Sequence, residues 1–202
     1  MFPLGTVLFP TVFLPLHVFE PRYRELVAAC LEGDGGHEFG VVLIERGSEV
    51  GGGERRFDVG CVTRIVEAVP LEDGRWALGT VGDRRIRVER WLPDRPYPCA
   101  LVSDFPDPAP GAMTESSLDA LTATCRRVLA MATELGASTA PATIEFAEDP
   151  VLAGYQLAAV APLGPLNKLA LLASPTPDAR AELLRRLLDD AAEVLAAQVA
   201  GG

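Results

Sequence analysis

The sequence predicts an α+β chain: a small barrel or sandwich of short strands carrying one helix, followed by a bundle of helices. Three observations lead there. Up to residue 105 the apolar residues come in short runs or in alternation, separated by Gly, Asp and Pro turn signals. Pro106-Asp107-Pro108-Ala109-Pro110-Gly111 then reads as a linker. Beyond it the apolar spacing changes to that of amphipathic helices. The expected organisation is a β domain over residues 1–105, a linker over 106–115 and a helical subdomain over 116–202.

The opening, FPLGTVLFPTVFLPLHVFEPRYR from Phe2 to Arg24, carries no formal charge before Glu20. Three features argue against a signal peptide or membrane anchor. No Lys or Arg precedes the apolar run. Pro3, Pro10 and Pro15 interrupt any spanning helix. The run ends in His17, Glu20 and Arg22 rather than at a small-residue cleavage site. Two fully buried strands are expected instead, Leu4–Phe9 and Thr11–Leu16, joined at Pro10. A helix follows, with Pro21 in its first turn and Glu20 at the positive end of its dipole. Tyr23, Leu26, Val27, Cys30 and Leu31 form its apolar stripe.

Gly33-Asp34-Gly35-Gly36 reads as a turn and Phe39–Ile44 as a buried strand. The segment RGSEVGGGERR has little chance of rigid structure unless something packs on it. Glu49 and Glu54 flank its glycines and no helix pattern follows, which favours a hairpin loop over a phosphate cradle. Val59–Pro70 alternates roughly, Asp73-Gly74 marks a tight hairpin, and Trp76–Val81 returns. Gly82-Asp83 reads as another turn. Arg84–Leu92 alternates strictly, with Ile86 and Val88 against Arg85, Arg87 and Glu89. Cys99–Phe105 is the last expected strand.

The tail reads as helices. Leu118, Leu121, Cys125, Val128 and Leu129 share a face over Ser116–Leu135, with Ser116 and Asp119 resembling a capping box. Ala137–Ala142 is a loop. Asp149-Pro150 begins a helix to about Ala161, Gly164-Pro165 a short one ending before Pro175, and Thr176-Pro177 the last, Leu-rich one.

These motifs carry a family resemblance. Phe-Pro-Leu, Leu-Phe-Pro, Pro-Leu-His and Phe-Glu-Pro-Arg-Tyr stand in the order seen at the start of the Lon protease N-terminal domain, also called the Lon substrate-binding domain; Thr11 stands where the family often has Gly or Asn. VGDRRIRV fits its Gly-x-x-Arg strand at Gly82, Arg85 and Val88. The tail is similar to the family's helical half, with Gly164 where Ser is common and Asn167 before Lys168 where an acidic residue is usual. The resemblance spans essentially the whole chain. It implies a PUA-like β pseudobarrel with one helix followed by an α-helical bundle, in a stand-alone form without ATPase and peptidase domains. It also implies a non-catalytic, proteolysis-related module whose partners are unfolded or partner polypeptides. The family-motif residues His17, Phe19, Glu20, Arg22, Tyr23 and Arg85 are the candidates for peptide binding. The alternative is an RNA- or nucleotide-binding PUA-like protein.

Composition bears on these alternatives. A formal charge of −10 disfavours polyanions and anionic membrane surfaces as partners. The cluster Arg84, Arg85, Arg87 and Arg90 is the only basic cluster with aromatics nearby (Trp76, Trp91), read here as a solvated strand face rather than an RNA site. Cys30, Cys61, Cys99 and Cys125 lack zinc-ligand spacing, so buried thiols in a reduced, bacterial cytoplasm are expected, without metal or cofactor. Lys168, the only Lys, has no P-loop context and no serine nucleophile beside it. His37 lies in a Gly-rich turn. His17 is expected between core strands as hydrogen-bonded scaffold, and Glu20, Arg22 and Arg24 as a local polar cluster.

Overall fold

The computed structural model describes all residues but Asp34, 112–114, Ala142 and Gly202, with the backbone alone for Glu115, Ser116, Ala200 and Gly201. Six strands form one curled, mixed sheet in the order β1 (Phe2–Leu4), β3 (Glu38–Arg46), β4 (Arg55–Pro70), β5 (Trp76–Leu92), β2 (Phe13–Val18), with β6 (Cys99–Asp104) also on β5. The β1–β3 pair is parallel and every other pair antiparallel. Two strands share the side of β5 that faces away from β4. β2 lies along Trp76–Val81, and β6 along Ile86–Leu92.

The long β5 corrects the expectation of a turn at Gly82-Asp83. The chain runs straight through, because these residues make a bulge rather than a reversal: Thr63 pairs with Gly82 and Val62 with Arg84, leaving Asp83 extra. Gly82 is needed for close approach. Its carbonyl accepts from the Thr11 amide at 2.8 Å and its amide donates to the Val12 carbonyl at 2.9 Å. A Cβ there would sit 2.1 Å from the Phe9 carbonyl oxygen. Asp73-Gly74, in contrast, does turn the chain, with Gly74 at φ 78° and the Leu71 amide donating to the Arg75 carbonyl.

The two opening strands are also shifted from expectation. Residues 5–12 are not a strand. Leu8 and Phe9 are buried, Phe9 completely, but in a non-strand segment whose following residues Thr11 and Val12 make backbone bonds to Gly82. β2 begins later, at Phe13, and is an edge strand rather than a fully buried one. Its inward residues Leu14, Leu16 and Val18 pack toward the core while Phe13, Pro15 and His17 stay exposed. His17 therefore does not lie between core strands.

Helix α1 (Pro21–Glu32) starts at Pro21 and buries Tyr23, Leu26 and Val27 against the sheet. Each such side chain contributes roughly 2 kcal/mol by removal from water. The Tyr23 ring stacks on Phe2 with centroids 4.1 Å apart, joining the helix to β1.

The described residues divide into two compact units, Met1–Pro106 and Asp107–Gly202. The second contains α2 (Glu115–Glu134), α3 (Pro150–Val160), α4 (Pro165–Leu172) and α5 (Pro177–Gly201). The Asp149 side chain caps α3, accepting from the Val151 and Leu152 amides at 2.9 Å each. The Ser116–Asp119 capping pair falls on a side chain outside the described residues. Leu129, Leu157, Leu171, Leu184 and Leu188 are fully buried at the centre of this unit. Beside them lies Arg180, 1% exposed, donating to the Asp107 carboxylate at 2.7 Å and to the Leu171 carbonyl at 3.2 Å, with its guanidinium 4.0 Å from the Tyr155 ring centre. The Tyr155 hydroxyl donates to the same carboxylate. Asp107, which composition assigns to a linker, is thus part of the helical unit's interior.

Candidate functional site

The sheet's two ends, β1 and β2, line the same pocket. Its volume is about 200 Å³, and its walls are Phe2 and Leu4 of β1, residues 15–19, Glu20 and Tyr23, and Glu49 and Val50. Five consecutive residues, Pro15 to Phe19, contribute to it. Neighbours on a strand point to opposite faces, so a pocket lined by an unbroken run lies along the strand's edge. That edge of β2 is unpaired among the described strands.

Arg22 organises one end of the pocket. Its Nε donates to Glu20 Oε2 at 3.1 Å and its Nη2 to the Glu49 carbonyl at 3.3 Å. Nη1 lies 3.9 Å from Glu54, and the guanidinium stands over the Tyr23 ring at 4.4 Å. The Gly51 amide donates to Glu20, the Gly5 amide to the Glu49 carboxylate, and Gly52, at φ 81°, lies flat against Arg22. The Gly-rich loop is therefore held as a wall of the pocket, because a cation packs on it. Glu20 does not cap α1 with its side chain; its carboxylate is spent on Arg22 and the loop.

Behind the pocket, the Glu54 side chain is buried and bound to Arg56 at 2.8 Å. Arg56 also reaches Asp94 at 3.2 Å and stacks on Trp91. Tyr23 is buried, and burial pushes its phenol well above the ordinary tyrosine range. It serves as an aromatic floor, not as a proton donor at neutral pH.

Of the six candidate residues, the structure brings His17, Phe19, Glu20 and Tyr23 to this pocket, with Arg22 bound to its wall. Arg85 is elsewhere. It is 2% exposed, and its guanidinium lies 4.1 Å, and that of Arg87 4.4 Å, from the Phe105 ring centre. The strict alternation of β5 placed Arg85 on a solvated face; Phe105 covers it there, its amide donating to the Arg85 carbonyl. Arg84 is held by Glu38 at 2.8 Å and by Asp83 and Asp104 at 3.0 Å each. Arg24 stands apart from the Glu20–Arg22 pair, against Gly74 and in a separate cleft with Arg75 and Trp76. Phe2, Leu4, Pro15, Leu16, Glu49 and Val50 were not candidates. Pro15 and Leu16 adjoin His17 on β2, whereas Phe2, Leu4, Glu49 and Val50 arrive through the pairing of β1 and the folding of the loop, which no local pattern announces.

The remaining reactive groups are quiet. Burial pushes the Cys61 thiol up to about 12 and Cys125 up to about 11, and raises Cys30, so all three are thiols at neutral pH. Burial lowers the Lys168 ammonium, whose Nζ donates to the Ala159 carbonyl at the end of α3. Among the described residues no group of His, Cys, Asp or Glu is placed to hold a metal ion, and no helix is long and apolar enough to cross a membrane.

Comparison with known proteins gives a consistent picture. The family described as the ATP-dependent protease La (LON) substrate-binding domain matches residues 1–190. A Lon protease of Cytophaga hutchinsonii is 34% identical over 116 residues, which are 57% of this chain and 14% of that protein; the match thus spans a small part of the relative's length. The crystal structure of a Lon N-terminal domain protein from Xanthomonas campestris superposes with a TM-score of 0.65 at 28% identity, covering 92% of this chain and 95% of that one. The N-terminal domain of a Mycobacterium avium complex Lon protease shares the fold, with a TM-score of 0.59 at 17% identity over 93% and 97% of the two chains. A β domain with the opening motifs in order, a curled sheet with one helix and a helical second unit thus all agree with the family match over nearly the full length: this chain belongs to the Lon substrate-binding domain family.

Proposed function

We propose that this protein is a non-catalytic protein-binding module that takes extended polypeptide segments along the free edge of β2, acting in protein quality control or as an adaptor. The observation that carries the reading is the edge-lying pocket. An unpaired strand edge offers backbone groups to an incoming strand, and adjacent apolar pockets take its side chains. At about 200 Å³ the pocket is below the usual 300–1,000 Å³ of small-molecule sites, which favours one inserted side chain over a nucleotide. Pro15 brings no N–H to the edge, a device that limits indiscriminate strand pairing.

The family name speaks of substrate binding, and the reading extends that to unfolded or partner polypeptides as ligands of this chain. Engagement of Arg84 by three carboxylates and burial of Arg85 weigh against the RNA-binding alternative, as does the charge of −10. Cytoplasmic action on protein ligands, without nucleic acid or membrane, is part of the same proposal.

The test uses Phe19, which is half exposed, so its replacement leaves the core intact. Phe19→Asp should weaken binding of reduced, unfolded casein about tenfold, as expected for removing one buried aromatic contact, with unchanged circular dichroism. Equal binding by the variant and the wild-type protein would move the site away from this edge.

A further inference from the structure

We infer that the segment bound at the β2 edge carries a Lys or Arg two residues away from the apolar side chain it inserts between β1 and β2. This rests on the peptide-binding reading above and adds a charge rule to it. The pocket wall contains two carboxylates, Glu20 and Glu49, and no Lys or Arg. Their situations differ. Glu20 is matched by Arg22 at 3.1 Å. The Glu49 carboxylate accepts from the Gly5 amide, a neutral donor, and no Arg or Lys pairs with it among the described residues. The nearby cation, Arg22, makes its contacts to Glu20, Glu54 and the Glu49 backbone carbonyl instead. The rim of the pocket therefore carries a carboxylate with no ion-pair partner among the described residues.

The Glu49 carboxylate stands at Gly5, just past the end of β1, and the Glu20 carboxylate at Gly51, and both residues line the pocket. The loop links the two residues: the Gly51 amide donates to the Glu20 carboxylate, and Arg22 donates to the Glu49 backbone carbonyl. A strand added to β2 points alternate side chains the same way, about 6.6 Å apart. When one apolar side chain enters between β1 and β2, the next on that side reaches the rim, while the immediate neighbours point away. A cation at that position finds Glu49. A carboxylate there meets like charge. Val50, half exposed beside Glu49, covers the aliphatic stem of a Lys or Arg in the same place. The chain's overall charge of −10 acts in the same direction at long range.

The experiment compares short fluorescent peptides with one Leu in a Ser/Thr background. Lys, Ser or Glu is set two residues from the Leu on either side, or Lys immediately next to it. On the wild-type protein, the Lys peptide of one orientation should bind about fivefold tighter than the Ser peptide, and the Glu peptide weaker still. The preference should shrink at high salt. Lys next to the Leu should give no gain. Glu49→Lys should reverse the order and favour the Glu peptide. Equal binding of all peptides, or equal gain from adjacent Lys, overturns the charge rule and leaves peptide binding standing. Failure of every peptide to bind, with unfolded casein also unbound, overturns the peptide-binding reading itself. Should Glu49→Lys not fold, the wild-type series alone decides.

Discussion

Arg22 shows how much one side chain can organise. It joins Glu20, the Glu49 carbonyl, buried Glu54 and the Tyr23 ring, and thereby gives shape to a loop with three consecutive glycines. Glycine-rich backbone loses much entropy on ordering, so the wall needs such a partner. Arg22→Gln keeps a polar side chain but removes the charge and the guanidinium fork. It should cost about 2 kcal/mol, the order expected when a buried charge such as Glu54 loses part of its pairing. Amide exchange in residues 47–53 should rise, measured alongside urea unfolding. Protected loop amides in the variant would mean the loop is held by something else. Arg22→Lys should not restore the wild type, because a single ammonium cannot serve three acceptors in that planar fork.

At the scale of elements, sequence patterns read type better than position. The helices came out within a residue or two, because Pro at the first turn and Asp149 as a cap are local chemical signals. The opening strands did not, because an apolar run says that residues are buried without saying in what conformation; Leu8 and Phe9 are core without being strand. Gly82-Asp83 reads as a turn, yet forms a bulge, for a related reason. Glycine marks both turns and close approach, and only the partner, the Phe9 carbonyl, decides which. Four residues of the candidate pocket are legible because they sit in one contiguous motif, whereas Glu49 and Phe2 arrive from distant segments. The role of Gly82 can be checked against Gly154, around which a Cβ meets nothing within 4 Å. Gly82→Ala should destabilise by about 3 kcal/mol through overpacking against backbone. Gly154→Ala, inside α3, should stabilise by about 0.5–1 kcal/mol. Thermal unfolding of the two variants reads both signs, and a harmless Gly82→Ala would refute the close-approach account.

At the scale of the molecule, Asp and Glu outnumber Lys and Arg by 28 to 18. Several carboxyls are nevertheless held below their ordinary range by arginines. A hydrogen bond from Arg84 lowers Glu38, one from Arg75 lowers Asp73, and one from Arg185 lowers Glu182. A lowered folded-state pKa means the unfolded chain takes up protons first, so the stabilisation is present above the ordinary carboxyl range and fades as pH falls through the lowered values. Stability should therefore decline below about pH 4. Glu38→Gln should flatten that decline, with a small effect because both partners are about a third exposed. Urea midpoints across an acid series test this; a Glu38→Gln profile parallel to the wild type would assign the acid sensitivity to other groups.

The Arg180–Asp107–Tyr155 cluster bears on where the helical unit begins in the chain. Arg180 is sealed among leucines, and the carboxylate that neutralises it comes from the first residue of that unit, in a stretch of prolines that composition would discard as spacer. A fragment cut at residue 116 would leave a guanidinium in an apolar interior with no counter-charge. The inheritable unit is longer than its helices: to transplant this bundle into another protein, one must carry along a short proline-rich leader that looks dispensable.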